Sequence, residues 1–195
     1  MYTFQEIIKD IPDKRSNKST TSHIFKKDLW QYLSVNKFNS ALEIGTAKGY
    51  STRIISQFVN KIYTVDNNIN NIKYAQQNNS KFCNNVTYLH NDVYNDNFRK
   101  LQIEDIDLCF IDACHDRFHV DYDINTCKLY SSKKLTLIFD DYGLFPEVKE
   151  VVDEYIKNNI FEVIKKIGET KGSSPRIGKT LLDNEGIICS LVQNV

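Results

Sequence analysis

Carboxylates recur in this chain just after short apolar runs. Asp66 follows Lys61–Val65, Asp92 follows Val86–His90, Asp112 follows Ile106–Ile111, and Asp140 and Asp141 follow Leu135–Phe139. The run Ala41–Ile44 opens the segment Glu43-Ile44-Gly45-Thr46-Ala47-Lys48-Gly49-Tyr50-Ser51-Thr52. Gly45 permits a tight turn and close approach of a ligand to the backbone, and Gly49 lets a helix start near the strand. A helix beginning at Tyr50–Ser51 turns free N–H groups and its positive end toward a carboxylate or phosphate. Asp66 stands 21 residues after Gly45, the separation at which a carboxylate grips ribose hydroxyls. The segment is not a GxGxxG fingerprint, because Ala47 and Lys48 replace the second glycine. Turn and carboxylate together indicate a nucleoside site. Asp92 is placed to accept from an adenine amino group, or otherwise to cap a helix or loop.

Asp112, Asp140 and Asp141 crowd one rim, and like charges so close need a compensating cation. Oxygen ligands of this kind suit Mg²⁺, Mn²⁺ or Ca²⁺. The alternative is that one Asp caps a helix, another binds backbone amides, and no metal is held. His115, three residues after Asp112, is a candidate general base; packing or charge balance is its other reading. Cys114 lacks a separate acid–base partner, which argues against a nucleophile. His90 is read as packing or solvated. Tyr122, Tyr142 and Phe145 stand where they could line a sugar or ring, or pack the core. The polar loop Thr170–Lys179 carries Lys171, Arg176 and Lys179, cations suited to a phosphate-bearing acceptor or simply solvated.

Positioning these residues requires strands that end together. Ala41–Ile44, Lys61–Val65, Val86–His90, Ile106–Ile111 and Leu135–Phe139 read as strands. Helices are expected over Thr52–Val59, Ile69–Asn78, His119–Tyr130 and Glu147–Asn158. Strands alternating with helices imply a parallel sheet covered on both faces, with ligands beyond the carboxyl ends. Phe161–Ile167 and Gly186–Val192 read as a final antiparallel pair at one edge. Upstream, Phe4, Ile7, Ile8 and Ile11 recur at helical spacing. Ser22 is the expected N-cap of a helix carrying Phe25, Leu29, Trp30 and Leu33 on one stripe. This gives a helical extension over 1–39 and a main domain over 40–195.

The 25 basic and 25 acidic residues cancel, which disfavours a nucleic-acid or membrane-surface binder. No apolar run approaches the roughly 18 residues of a membrane span. The opening MYTFQEIIKDIPDK lacks the basic start and apolar stretch of a secretory signal. Five cysteines, an odd number without a CxxC pair, fit reduced thiols and a cytoplasmic location.

LEIGTAKGYST resembles the first motif of class I S-adenosylmethionine-dependent methyltransferases, closest to small O-methyltransferases reading EIGxxxGYST. IYTVD is similar to their second motif, and FIDACHDRFHVDYD to the FIDGDHSY-type signature of methyltransferase family 24. LTLIFDDYG with PEVKEVVDEY resembles that family's next strand and helix. The resemblance spans roughly residues 22–165. It implies a Rossmann-like, doubly wound α/β fold with a seven-stranded sheet, mostly parallel with an antiparallel C-terminal edge strand. It implies S-adenosylmethionine held by Glu43, Gly45 and the turn Thr46, Gly49, Tyr50, Ser51 at its methionine end. Asp66 with Asn67 would hold the ribose, and Asp92 with Val93 the adenine. Asp112, which also borders the cofactor, would join Asp140 and Asp141 on a divalent metal, Mg²⁺ foremost, with Asp112 and His115 as catalytic residues. His115 replaces the catalytic lysine of catechol-type relatives, and Ser132-Lys133-Lys134 replaces a glycine pair. The expected reaction is methyl transfer to a small-molecule hydroxyl, such as that of a sugar or nucleotide-linked sugar. A homodimer through the N-terminal helices and an exposed Trp30 is also expected. The rival readings are an NAD-type oxidoreductase, disfavoured by the missing GxGxxG, and a non-catalytic partner subunit.

Overall fold

The computed structural model describes residues 2–13, 20–95, 98–103, 105–131, 134–174 and 178–192. Ser132, Lys133 and Arg176 lie outside the described residues. A seven-stranded sheet runs through the protein in the order β3-β2-β1-β4-β5-β7-β6. Its strands are β1 (Ser40–Ile44), β2 (Lys61–Asp66), β3 (Val86–His90), β4 (Leu108–Ile111), β5 (Thr136–Phe139), β6 (Phe161–Ile167) and β7 (Gly186–Leu191). The first five pair in parallel; β7 runs antiparallel to both β5 and β6. The topology is the Rossmann-like doubly wound sheet the motifs imply. The order reverses between β1 and β4, so a crevice opens beyond their carboxyl ends.

Side-chain alternation divides the core into two layers. Leu42, Ile44, Cys109, Ile111, Leu137 and Phe139 face one way, covered by α5 (Arg117–Leu129) and α6 (Pro146–Lys157). Ala41, Leu108, Phe110 and Ile138 face the other, covered by α1 (Phe4–Ile8), α2 (His23–Val35) and α3 (Tyr50–Ile55). The described residues before β1, 2–13 and 20–39, are thus one wall of the main core. The buried Arg53 fastens them: its guanidinium donates to Ile7 O at 3.0 Å, Asp10 at 2.6 Å and Asn79 Oδ1 at 2.9 Å. Trp30 is half-buried, its ring packed between Phe4 and Phe58. That packing withdraws the exposed indole on which the expected dimer face was built.

Local signals set most boundaries. Ser22 caps α2, its hydroxyl accepting from Phe25 N at 3.0 Å. Thr3 and Glu6 form a capping box on α1. That helix stops at Ile8 rather than reaching Ile11, since Pro12 disfavours helical backbone just before it. Asp116 caps α5, and Pro146 starts α6. The first crossover helix is α3, shorter and earlier than the expected Thr52–Val59. Among the described residues, no helix is long and apolar enough to cross a membrane. All five cysteines are unpaired thiols.

Candidate functional site

The β1 turn is built on a near-collision. Gly45 has φ +101°, and a Cβ there would sit 2.0 Å from the carbonyl oxygen of Asp112. Only glycine lets the ends of β1 and β4 meet so closely. Gly49, at φ +72°, is pressed by Ala75 and Asn79 of α4 (Ile69–Asn79). Beyond the turn lies a cavity of about 250 Å³. Its walls include the expected residues Gly45, Asp66, Asn67, Asp92, Val93 and Asp112. Thr46, Tyr50 and Ser51 line a small adjoining crevice of about 20 Å³, which Gly45 and Asp112 also border.

The Asp66 carboxylate is fully engaged. It accepts from Ala47 N at 2.9 Å, from Asn68 N at 2.8 Å, and from the Asn71 amide at 3.1 Å on each oxygen. Three donor nitrogens, one of them shared between both oxygens, make four contacts to it. Asp92 turns its Oδ1 to its own loop, accepting from Tyr94 N at 3.0 Å. Glu43 lies beneath the turn and lines neither space. One of its oxygens accepts from the Thr52 hydroxyl and, at 2.5 Å, from that of Thr64; the other has no hydrogen-bond partner. Burial, partly offset by the two hydroxyls and reinforced by Asp112 and Asp66, lifts its pKa to about 8.

Asp112 also faces a second cluster. Ligand atoms of Asp112, His115 and Asp141 all lie within 4.8 Å of one another. His115 Nε2 is 3.3 Å from Asp141 and 3.7 Å from Asp112. Its ring is stacked on Phe145 with centroids 4.2 Å apart and planes 7° from parallel. Burial pulls the His115 pKa down, but the two facing carboxylates outweigh it and lift the value to about 9. The bare ring therefore holds a proton at neutral pH; the base role read from the sequence needs that proton displaced. The gathered trio also differs from the expected one, with His115 in the place of Asp140. Asp140 is buried at the strand end, and Asp141 turns away from it through a left-handed backbone with φ +57°. Such a φ is unusual for a side-chain-bearing residue and concentrates at functional sites. Leu144 N and Phe145 N, each 3.0 Å from Asp141 O, hold that turn in place.

Sequence reasoning missed the roof of the site. Thr20 and Thr21 border the crevice beside Gly45, Thr46 and Asp112. The Thr21 hydroxyl is buried without a hydrogen-bond partner. Its carbonyl accepts from the buried Lys26 ammonium, and Ser22 donates through its N–H and its hydroxyl to the buried Glu185, at 2.9 and 2.5 Å. No local signal reveals contacts that bring residue 22 against residue 185. Tyr94 and Cys114 complete the cavity wall. Of the expected aromatics, Tyr142 is buried, its hydroxyl donating to Asp153 at 2.6 Å, while Tyr122 packs against Tyr94.

Comparison with known proteins follows this geometry. No curated protein matches the chain by sequence. Solved structures match its fold closely. An O-methyltransferase from Bacillus cereus, determined in complex with SAH, aligns with a TM-score of 0.70 at 16% identity, over 97% of this chain and 90% of that one. A SAM-dependent O-methyltransferase from Thermotoga maritima aligns at 0.68 and 14% identity, over 100% and 73%. A tRNA methyltransferase from Aquifex aeolicus aligns at 0.66 and 18% identity, over 100% and 77%. At such identities the likeness is one of fold, and it spans acceptors as different as these names. The sequence itself is matched by the family model of a methyltransferase domain over residues 42–142, the stretch from β1 to the turn after β5. That stretch is just over half of the chain and carries Gly45, Asp66, Asp92, Asp112, His115 and Asp141, so the chain belongs to this methyltransferase-domain family, number 24, and is a methyltransferase.

Proposed function

We propose that the protein transfers a methyl group from S-adenosylmethionine to the hydroxyl of a small molecule, assisted by a divalent cation. The carrying observation is that one residue, Asp112, borders both the nucleoside-sized cavity and the Asp112–His115–Asp141 cluster. A donor in the first and an acceptor at the second would meet at that residue.

Asp66, with Asn67 beside it, takes the ribose hydroxyls. Its acceptor sites are already filled, so the hydroxyls replace the two bonds from the Asn71 amide, while the backbone donors stay. Asp92 and Val93 border the adenine. Gly45, Thr46, Tyr50 and Ser51 border the methionine end, while Glu43 and Gly49 act from behind by shaping the turn, Glu43 through its bonds to Thr52 and Thr64. Binding in this way aligns donor and acceptor, which is the protein's main contribution to a displacement at carbon. The new O–C bond forms as the C–S bond breaks, its electron pair staying on sulfur, and the hydroxyl proton leaves.

The cluster fits a divalent cation. His115 Nε2 stands beyond the 2.7–2.9 Å of a direct charge-assisted hydrogen bond to either carboxylate. Separations of 3–4 Å are those of ligands around one ion. The chemistry such an ion supplies when bound is to lower the pKa of the acceptor hydroxyl. An imidazole ligand moves the preference from Mg²⁺ toward Mn²⁺. His115 takes the proton only where the carboxylates alone hold the ion, since Nε2 serves one role at a time. The balanced charge favours a small acceptor, a sugar or nucleotide-linked sugar, over a nucleic acid.

The test is calorimetric titration with S-adenosylhomocysteine, then with Mn²⁺ and Mg²⁺, in wild type and Asp141→Asn. The expected result is cofactor binding in both proteins and ion binding in wild type alone. Failure to bind S-adenosylhomocysteine overturns the proposal; turnover undiminished by EDTA removes the cation from it.

A further inference from the structure

The Phe145 ring, stacked on His115 by one face, carries the Lys179 ammonium 4.4 Å from its centroid. Lys179 belongs to the connection between β6 and β7, whose described residues on either side are tied down. Leu182 N donates to Gly143 O at 2.7 Å, and Leu181 N and Gly172 N tie the two limbs of the connection together at 2.9 and 3.0 Å. Gly143 admits this close approach, since a Cβ there would sit 2.4 Å from the carbonyls of Asp183 and Asn184. The chain just after Lys179 is therefore anchored at Leu182 to the same turn that presents Asp141 and Phe145.

The neighbouring cations are already neutralised. Lys149 pairs with Asp153 at 2.6 Å and Asp183 at 3.4 Å, and Lys166 pairs with Asp183 at 2.8 Å. Lys179 has no carboxylate within ion-pair distance among the described residues and rests on an aromatic face instead. Such a contact at an exposed site is weak, too weak to hold the ammonium against a full negative charge. A cation resting on the ring that stacks on His115, with no carboxylate partner among the described residues and with the chain beside it tied at Leu181 and Leu182, is a recognition element for an anion.

We propose that Lys179 selects the methyl acceptor by its charge: the substrate carries a phosphate or carboxylate on the side of the accepting hydroxyl facing Phe145. This rests on the O-methyltransferase reading and names its substrate class. Lys179 swings from the Phe145 face to the anion. The residue lies outside the 42–142 stretch shared with the family, where specificity is free to differ.

The test uses three probes against protein loaded with S-adenosylhomocysteine and Mn²⁺: glucose 1-phosphate, glucuronate and methyl glucoside, followed by calorimetry. The anionic probes are expected to bind at least tenfold more tightly than methyl glucoside, and the stronger of the two identifies the anion. Lys179→Met should abolish the difference and Lys179→Glu invert it, with melting temperature and S-adenosylhomocysteine affinity unchanged. Equal binding of neutral and anionic probes, binding of none, or discrimination surviving in Lys179→Met overturns the proposal. Because the titration of S-adenosylhomocysteine is read first, failure here is distinguishable from failure of the O-methyltransferase reading.

Discussion

On the β2–β3 side of the rim, Asp66 is satisfied by three donor nitrogens supplied by the fold itself. On the β4–β5 side, Asp112 and Asp141 face each other across one imidazole that neither grips closely. In the proposed reading the first side takes a neutral, hydroxyl-bearing guest, which exchanges one set of hydrogen bonds for another. The second gathers two carboxylates and an imidazole at a strained turn, where the same reading places a cation and the acceptor. The difference teaches how one rim can divide its tasks: preorganised hydrogen bonds fix a position, while gathered charge shifts the acidity of the groups beside it.

The strongest way to break this comparison is to act where the two sides touch. Gly45→Ala forces a Cβ against the Asp112 carbonyl at 2.0 Å and into φ +101°. It should cost upward of about 3 kcal/mol, comparable to overpacking combined with backbone strain, and abolish binding at both sides. Chemical denaturation and S-adenosylhomocysteine titration on the same sample would check this. Asp141→Asn should separate the sides. Turnover falls about 100-fold or more, as for removal of a principal electrostatic group, while S-adenosylhomocysteine affinity changes less than about twofold. Asp66→Ala does the reverse at the binding step. It raises the S-adenosylhomocysteine dissociation constant about 10-fold or more, a loss of roughly two hydrogen bonds to a charged group, and leaves Mn²⁺ affinity intact. Asn71→Ala sharpens the account of Asp66: by removing the competing donor it should leave cofactor affinity equal to wild type or higher, and a marked loss would show that Asn71 itself touches the ligand.

The smallest effect concerns pH. Asp123, fully buried on α5, has its pKa lifted to about 8, chiefly by burial and against the Tyr94 hydroxyl bond. In the unfolded chain it ionises near pH 4. Between these values the folded protein keeps a proton that the unfolded chain releases, so stability falls as pH rises from about 4 to about 8. Glu43 adds to the same trend. Asp123→Asn should flatten the dependence of the urea midpoint on pH across that window; a slope as steep as in wild type would remove Asp123 as its source.

Much of the placement around the β1–β2 crevice was legible because each residue sits at the end of a strand whose apolar pattern announces it. Gly45 and Asp66 need only the β1–turn–β2 unit to be placed, and Ser22 revealed itself as a cap by its type alone. The reaction side was less legible. Asp140 and Asp141 are indistinguishable by type, and only the left-handed turn at Asp141 decides which one faces His115. Thr21 and Lys179 come from segments 158 residues apart in the chain, brought to one rim by the antiparallel return of β7. Helix ends followed Pro12 and Pro146 where prolines mark them. The α3 boundary had no such mark and was set by the packing of α4 on Gly49.

The bond between Ser22 and Glu185 has a consequence for the order of assembly. A chain emerging from the ribosome acquires its turn glycines and strand-end carboxylates early, and Arg53 can already hold the segment before β1, yet Ser22 lacks its two bonds to Glu185 until that residue has been made. The crevice bordered by Thr20 and Thr21 is therefore completed only after β6 has formed, later than the turn it covers.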